Sequence, residues 1–180
     1  MWRRGRRQGA AAHDGAQAAA ALTLHLQHGG ALAPIQVADL PLSPGEVALA
    51  DVTCSAARYY GTEVVYPRPT GYFENHPVFG QRWVPNRRLN ARRGHAAEAA
   101  AAPQWRDHTP ARLVLTSAGV RLRPVSSPDW LPFDHVLLTE VAMGHEDVVL
   151  KYTVCAPLHL AGPAVPWLGV AVEHLRQTMS

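Results

Sequence analysis

From Ala111 to Leu122 the chain reads ARLVLTSAGVRL, and no other stretch restricts the fold as much. Leu113 and Leu115 alternate with Arg112, Val114 and Thr116. Past Ser117-Ala118-Gly119, Val120 and Leu122 alternate with Arg121 and Arg123. A period of two on both sides of a short glycine-containing link specifies two antiparallel strands, each with one face for a core and one for solvent. Thr116 and Ser117 are therefore expected to close a hairpin rather than act as nucleophiles. Gly119 is expected to supply the positive φ that such a link often requires.

The pattern recurs downstream. FDHVLLTEVAM and DVVLKYTV are expected to pair across GHED, with Val148, Leu150, Tyr152 and Val154 on one face and Val149, Lys151 and Thr153 on the other. PLHL adds a short last strand. GPAVPWLGVAVEHL then opens with prolines suited to a first helical turn, and Val165, Leu168, Val172 and Leu175 share one helical face. Such a face needs a partner, and the open end of an antiparallel sheet supplies one. Trp130 and Trp167 are expected at that junction.

Upstream, EVALADVTC reads as a first strand, with a partner expected in ARYYGTEVVY. PRPTGYFENHPVFGQRWVPN carries many prolines and glycines and reads as a long loop. The alanine-rich NRRLNARRGHAAEAAAAPQW reads as a helix ended by Pro103, a basic helical insert at about 84–105. Residues 1–40 are rich in Ala, Gly and Arg. They are expected to be a mostly disordered, low-complexity arm, with at most a short helix from Gln17 to Gln27. PLSPGE marks the entrance to a domain covering 41–180.

Composition narrows the function classes. The 47% hydrophobic content fits a globular chain. Cys54 and Cys155 stand far apart in sequence, which argues against a disulfide framework or a cysteine zinc site and for two small buried residues in a reducing compartment. No run reaches the ~18 apolar residues of a membrane span. The basic start resembles a signal peptide, but Asp14 and His25 flank and interrupt its weak apolar centre, so a cytoplasmic location is expected.

Linear catalytic motifs are missing from the sequence. His95 and Glu98 lie three apart with His108 beyond, but no His-Glu-x-x-His supports a zinc site. Asp134-His135 and His145 to Asp147 fall at strand starts and turns. There is no Gly-x-Ser-x-Gly elbow and no phosphate loop, and Asp51, Asp134 and Glu140 show no paired spacing. The expectation is a protein that is not an enzyme, with no cofactor and no metal. A small enzyme with a spatially assembled site is the remaining alternative.

The informative polar feature is Arg82, Arg87, Arg88, Arg92 and Arg93, with no acid between them. On a helix Arg88 and Arg92 share a face, and Trp83, Leu89 and Trp105 offer an apolar counter-face. Such a segment suits anionic lipid headgroups or nucleic-acid phosphates, or it is only a solvated face. A second cluster, Arg58, Tyr59, Tyr60, Tyr66, Arg68, Tyr72 and Phe73, interleaves aromatics with arginine in a way that permits single-stranded nucleic-acid binding, although strand tyrosines are more often packed against a sheet face.

Together ARLVLTSAGVRL, the tryptophan of PDWLPFDHVLLTEV, DVVLKYTVCAPLHLAG and the closing AVPWLGVAVEHL resemble the PH-like superfamily, with GRAM-type domains as the nearest flavour. They also resemble a group of actinobacterial proteins whose helical insert ends near AAPQWRDH. The resemblance implies an α+β fold, a PH-like or GRAM-like antiparallel β-barrel or sandwich of about seven strands capped by a C-terminal amphipathic helix. By class tendency it implies peripheral association with an anionic membrane surface or a protein partner. Fold alone assigns no ligand.

Overall fold

Leu113, Leu115, Val120 and Leu122, the alternating positions of the central hairpin, are at most 3% exposed, and the larger part of the molecule is built around them. The structure is a computed structural model that describes residues 2–178, and their side chains from residue 14 onward. In chain order the elements are α1 (Trp2–Gln27), β1 (Ala48–Tyr60), β2 (Gly71–His76), β3 (Gly80–Pro85), α2 (Arg87–Ala101), β4 (Gln104–Thr116), β5 (Gly119–Pro124), β6 (Leu131–Asp134), a 3-10 turn (His135–Leu137), β7 (Leu138–Met143), β8 (Asp147–Tyr152), β9 (Leu158–Ala161) and α3 (Val165–Thr178). They fall into two units. The chain up to Tyr59 and from Trp105 onward forms the larger, and Tyr60–Gln104 the smaller.

In the larger unit seven strands form one sheet in the order β6-β5-β4-β1-β9-β8-β7. Two meanders, β4-β5-β6 and β7-β8-β9, flank β1. Leu113 faces Leu122 and Leu115 faces Val120 across β4–β5; Val120 faces Phe133 across β5–β6. Val148 faces Leu160 and Leu150 faces Leu158 across β8–β9. These cross-strand apolar pairs fix the register, because a one-residue slip would turn every one of them away from the main core. The sheet does not close into a barrel: β6 and β7 are its two edges, and the 3-10 turn carries the chain from one to the other without pairing them.

The helix face drawn from the sequence is the one that is buried. Val165, Leu168 and Val172 are fully buried, Leu175 is half-buried, and α3 lies on β7, β8 and the 3-10 turn. Val148, Leu150 and Tyr152 enter the same core; Val154 does not, because β8 ends at Tyr152 and leaves it exposed. The hairpin expected across GHED is β7–β8, but Phe133 and Asp134 belong to β6 and pair with β5 instead. Gly119 does not take a positive φ. It is needed for space, since a Cβ there would collide with the carbonyl oxygen of Phe133.

The N-terminal segment departs from its expectation. Residues 2–27 form one helix, and α1 packs on α3. Leu22 is buried in the main core, with Leu26 and Leu32 packed against it. Alanine content suggested too little burial to hold the arm, but leucines four apart on one face are enough when α3 offers an apolar wall. Met1 and the side chains of residues 1–13 lie outside the described residues.

Leu40, Ala48 and Val114 make a second, small cluster, joined by Val37 and Trp130. Trp130 thus sits away from the sheet–helix junction, and its indole N–H donates to the Asp39 carbonyl at 3.0 Å. Trp167 is half-buried against the main core, as expected. Cys54 is buried and Cys155 half-buried, both as free thiols. Burial pushes the Cys54 thiol up to about 11.

In the smaller unit the expected loop contains a hairpin. Tyr72 faces Val84, Phe73 faces Trp83 and Glu74 faces Arg82 across β2–β3. The prolines fall at the turn or the ends, leaving the β-favouring Tyr, Phe, Trp and Val residues to pair. The residues Arg58, Tyr59 and Tyr60 finish β1 rather than open a partner strand, and 61–70 are irregular. Asn86 caps α2 by accepting the Leu89 N–H at 3.1 Å. The Asn90 side chain holds Thr70 through three hydrogen bonds of 2.9 Å. Among the described residues of this unit only Ala101 is buried.

Candidate functional site

The smaller unit displays the arginines singled out from the sequence. Arg82 stands on β3 and pairs with Glu74 at 3.3 Å. Arg87, Arg88, Arg92 and Arg93 lie on α2. Arg88 and Arg92, one turn apart, line a shared groove with Asn86 and Leu89. Arg93 donates to the Arg68 carbonyl at 3.4 Å. Among the described residues no carboxylate lies within ion-pair distance of Arg87, Arg88, Arg92 or Arg93.

The contrast with the larger unit is sharp. There Arg112 binds Asp39 and Asp51, Arg121 binds Glu46 and Asp134, Arg123 binds Asp39, and Arg176 binds Glu173. Residues 60–104 hold six arginines against three glutamates, a surplus equal to the formal +3 of the whole chain. The sheet and its helices are neutral as a set, and the insert carries the excess. Unpaired guanidinium groups keep their donors for an external acceptor, and their field extends about 10 Å at moderate salt.

The same unit also exposes apolar groups. Val78 and Phe79, in the β2–β3 turn, are each 77% exposed, and Tyr72, Phe73 and Trp83 on the strands are also exposed. The sequence reading missed Val78 and Phe79 because it took the region for a loop. The signal was aromatic β-formers on either side of Pro-Val-Phe-Gly. The tyrosine–arginine cluster is divided: Arg58 and Tyr59 belong to the larger unit, Tyr60, Tyr66, Arg68, Tyr72 and Phe73 to the smaller. Tyr59 stacks edge-on against Trp105 at 5.1 Å, which in turn lies 5.0 Å from the His159 ring. The Tyr66 hydroxyl donates to Glu98 at 3.1 Å, and that bond raises its pKa.

The remaining polar constellation is interior. The buried Thr116 hydroxyl donates to Glu46 at 2.5 Å and accepts from the Ala118 and Gly119 N–H groups at 3.2 and 3.1 Å. Burial works to raise the Glu46 pKa, but the Thr116 hydroxyl, the Ser43 N–H and Arg121 outweigh it and hold the carboxyl below its ordinary value. Arg121 bridges Glu46 at 2.8 Å and Asp134 at 2.7 Å. His135 meets the Thr116 carbonyl at 3.2 Å, and burial depresses its pKa. This network satisfies the hairpin's own polar groups, so Thr116 has the turn-closing role read from the sequence, whereas Ser117 ties the link to Val47, its Oγ accepting the Val47 N–H at 3.1 Å and its N–H donating to the Val47 carbonyl at 2.9 Å. His95 lies 3.4 Å from Glu98, and among the described residues no three His, Cys, Asp or Glu side chains converge as a metal site would require.

No described helix is long and apolar enough to cross a membrane. Compared with known proteins, the chain matches no family model, and no curated protein is similar to it.

Proposed function

We propose that this chain is a non-enzymatic binding module of the PH-like, GRAM-type class, acting in the cytoplasm, and that its smaller unit docks on an anionic membrane surface. The observation carrying this reading is the combination, on one unit without a core, of Arg87, Arg88, Arg92 and Arg93, which hold no carboxylate among the described residues, with an exposed Val78-Phe79 turn. Guanidinium groups bind headgroup phosphates by paired donors, while apolar tips gain free energy by leaving water. Each basic residue near such a surface contributes about 1 kcal/mol. The seven-stranded antiparallel sheet with its C-terminal amphipathic helix supports the PH-like assignment.

A second reading is nucleic-acid binding. The exposed Tyr72 and Phe73 favour it, since bases stack on such rings beside phosphate-binding arginines. Vesicle co-sedimentation with and without phosphatidylserine, beside single-strand and duplex binding, each across a salt series, separates the readings. Retention on anionic vesicles alone supports the membrane. Retention on nucleic acid alone replaces it, and binding to neither leaves a protein partner.

A further inference from the structure

Arg58, in the larger unit, has surroundings unlike those of Arg112, Arg121, Arg123 and Arg176. It lies on β1 opposite Leu158 of β9, and its guanidinium carbon stands 5.2 Å from the centre of the Phe133 ring. Its Nε is buried and has no hydrogen-bond partner. Arg112, Arg121, Arg123 and Arg176 each hold a carboxylate; among the described residues Arg58 holds none. A buried N–H without an acceptor is costly, and native structures retain few of them.

The same arginine lines a cavity of about 200 Å³. Its walls are mostly apolar: Leu158, Leu122 of β5 and Leu131 of β6, the last two directly opposed, line it, with Thr109 and Asp107 as the other polar groups beside Arg58. A mostly apolar pocket whose guanidinium holds no carboxylate suits an anion with an apolar body. The lining holds one guanidinium and one carboxylate, Asp107, so a single negative charge is the most a ligand can bring. The volume lies below the roughly 300–1,000 Å³ of pockets for drug-sized ligands, which restricts the body to a short acyl chain or a single ring.

We infer that this cavity is a binding site for small apolar monocarboxylates, with Arg58 as the carboxylate contact. The carboxylate takes parallel donors from the guanidinium while the hydrocarbon part lies against Leu122, Leu131 and Leu158. The site is separate from the insert's arginines and does not depend on the membrane reading.

The test is titration calorimetry and saturation-transfer NMR on the full chain with benzoate and hexanoate, each beside its neutral amide. The acids are expected to bind saturably, and the amides at least about tenfold more weakly, the factor carried by a charge-assisted hydrogen bond. Arg58→Met is expected to lose the acid by a similar factor with an unchanged circular dichroism spectrum, and Arg58→Lys to retain part of it. The double variant Arg88→Glu/Arg92→Glu is expected to bind the acids as the parent does. Equal affinity for acid and amide overturns the proposal, as does no binding of either acid at millimolar concentration, or loss in the insert variant with retention in Arg58→Met. If Arg58→Met does not fold, the acid–amide comparison on the parent chain decides alone.

Discussion

Arg112 and Arg123 stand directly opposite each other in the β4–β5 ladder, and Asp39 reaches both, at 2.9 and 2.8 Å. Their guanidinium carbons also lie 5.6 and 4.6 Å from the Trp130 ring centre. Like charges directly opposed destabilise a strand pair, so Asp39 turns a local conflict into a bridge. The Arg112 hydrogen bond is the chief cause that holds the Asp39 carboxyl below its ordinary value. Asp39→Asn is expected to lower the urea midpoint, and to lower it less in an Arg123→Leu background. Equal losses in the two backgrounds would show that the bridge does not couple them.

Thr116→Val keeps the side-chain shape but leaves the Ala118 and Gly119 N–H groups without their acceptor. A loss of about 2 kcal/mol is expected in denaturant unfolding, and less than half of it in Thr116→Ser. Binding to vesicles should not change.

Acid should weaken the fold in two steps. His135 binds a proton less readily in the folded state than at the ordinary 6.5, because burial and the nearby Arg121 disfavour the cation more than Asp134 and the Thr116 carbonyl favour it. The unfolded chain therefore takes up more protons as pH falls, and stability, complete above 6.5, is lost as pH drops through the depressed value. Glu46, also depressed, extends the loss below the ordinary 4.5. Thermal midpoints measured from neutral to acid pH should fall, and His135→Phe should flatten the upper step while keeping the lower one.

Leu22→Ala is expected to lower stability by about 2 kcal/mol, because it opens a hole where α1 meets the core. A freely moving arm would register no change, so guanidinium unfolding of this one variant checks the placement of α1.

Phe79→Ser should reduce partition to phosphatidylserine vesicles by roughly tenfold, the value of burying one phenyl side chain. Its exposure predicts an unchanged melting temperature. A variant that melts earlier but binds equally would place Phe79 in a structural role.

What the sequence revealed, and what it hid, follows from the range of the forces involved. Leu113, Leu115, Val120 and Leu122 announced their strands because alternation is a local signal, and Val165, Leu168 and Val172 announced their helix face for the same reason. The role of Gly119 could not be read, because the Phe133 carbonyl that crowds it is a strand partner supplied by the tertiary fold. Leu22 looked unsupported for a similar reason: its support, α3, lies at the other end of the chain. The basic residues of the insert were visible as a run, but their lack of carboxylates emerged only once the acids of the larger unit were seen to be committed to Arg112, Arg121 and Arg123. The isolation of Arg58 left no linear trace at all.

β1 and β4 are neighbours in the sheet, and the smaller unit begins where β1 ends and ends where β4 begins. Topologically it is an enlarged turn. Closure entropy rises only with the logarithm of loop length, so each doubling of such an excursion costs about 0.6 kcal/mol. This makes the junction a place where a lineage can lengthen, trim or exchange the insert at little entropic cost while the seven strands stay as they are.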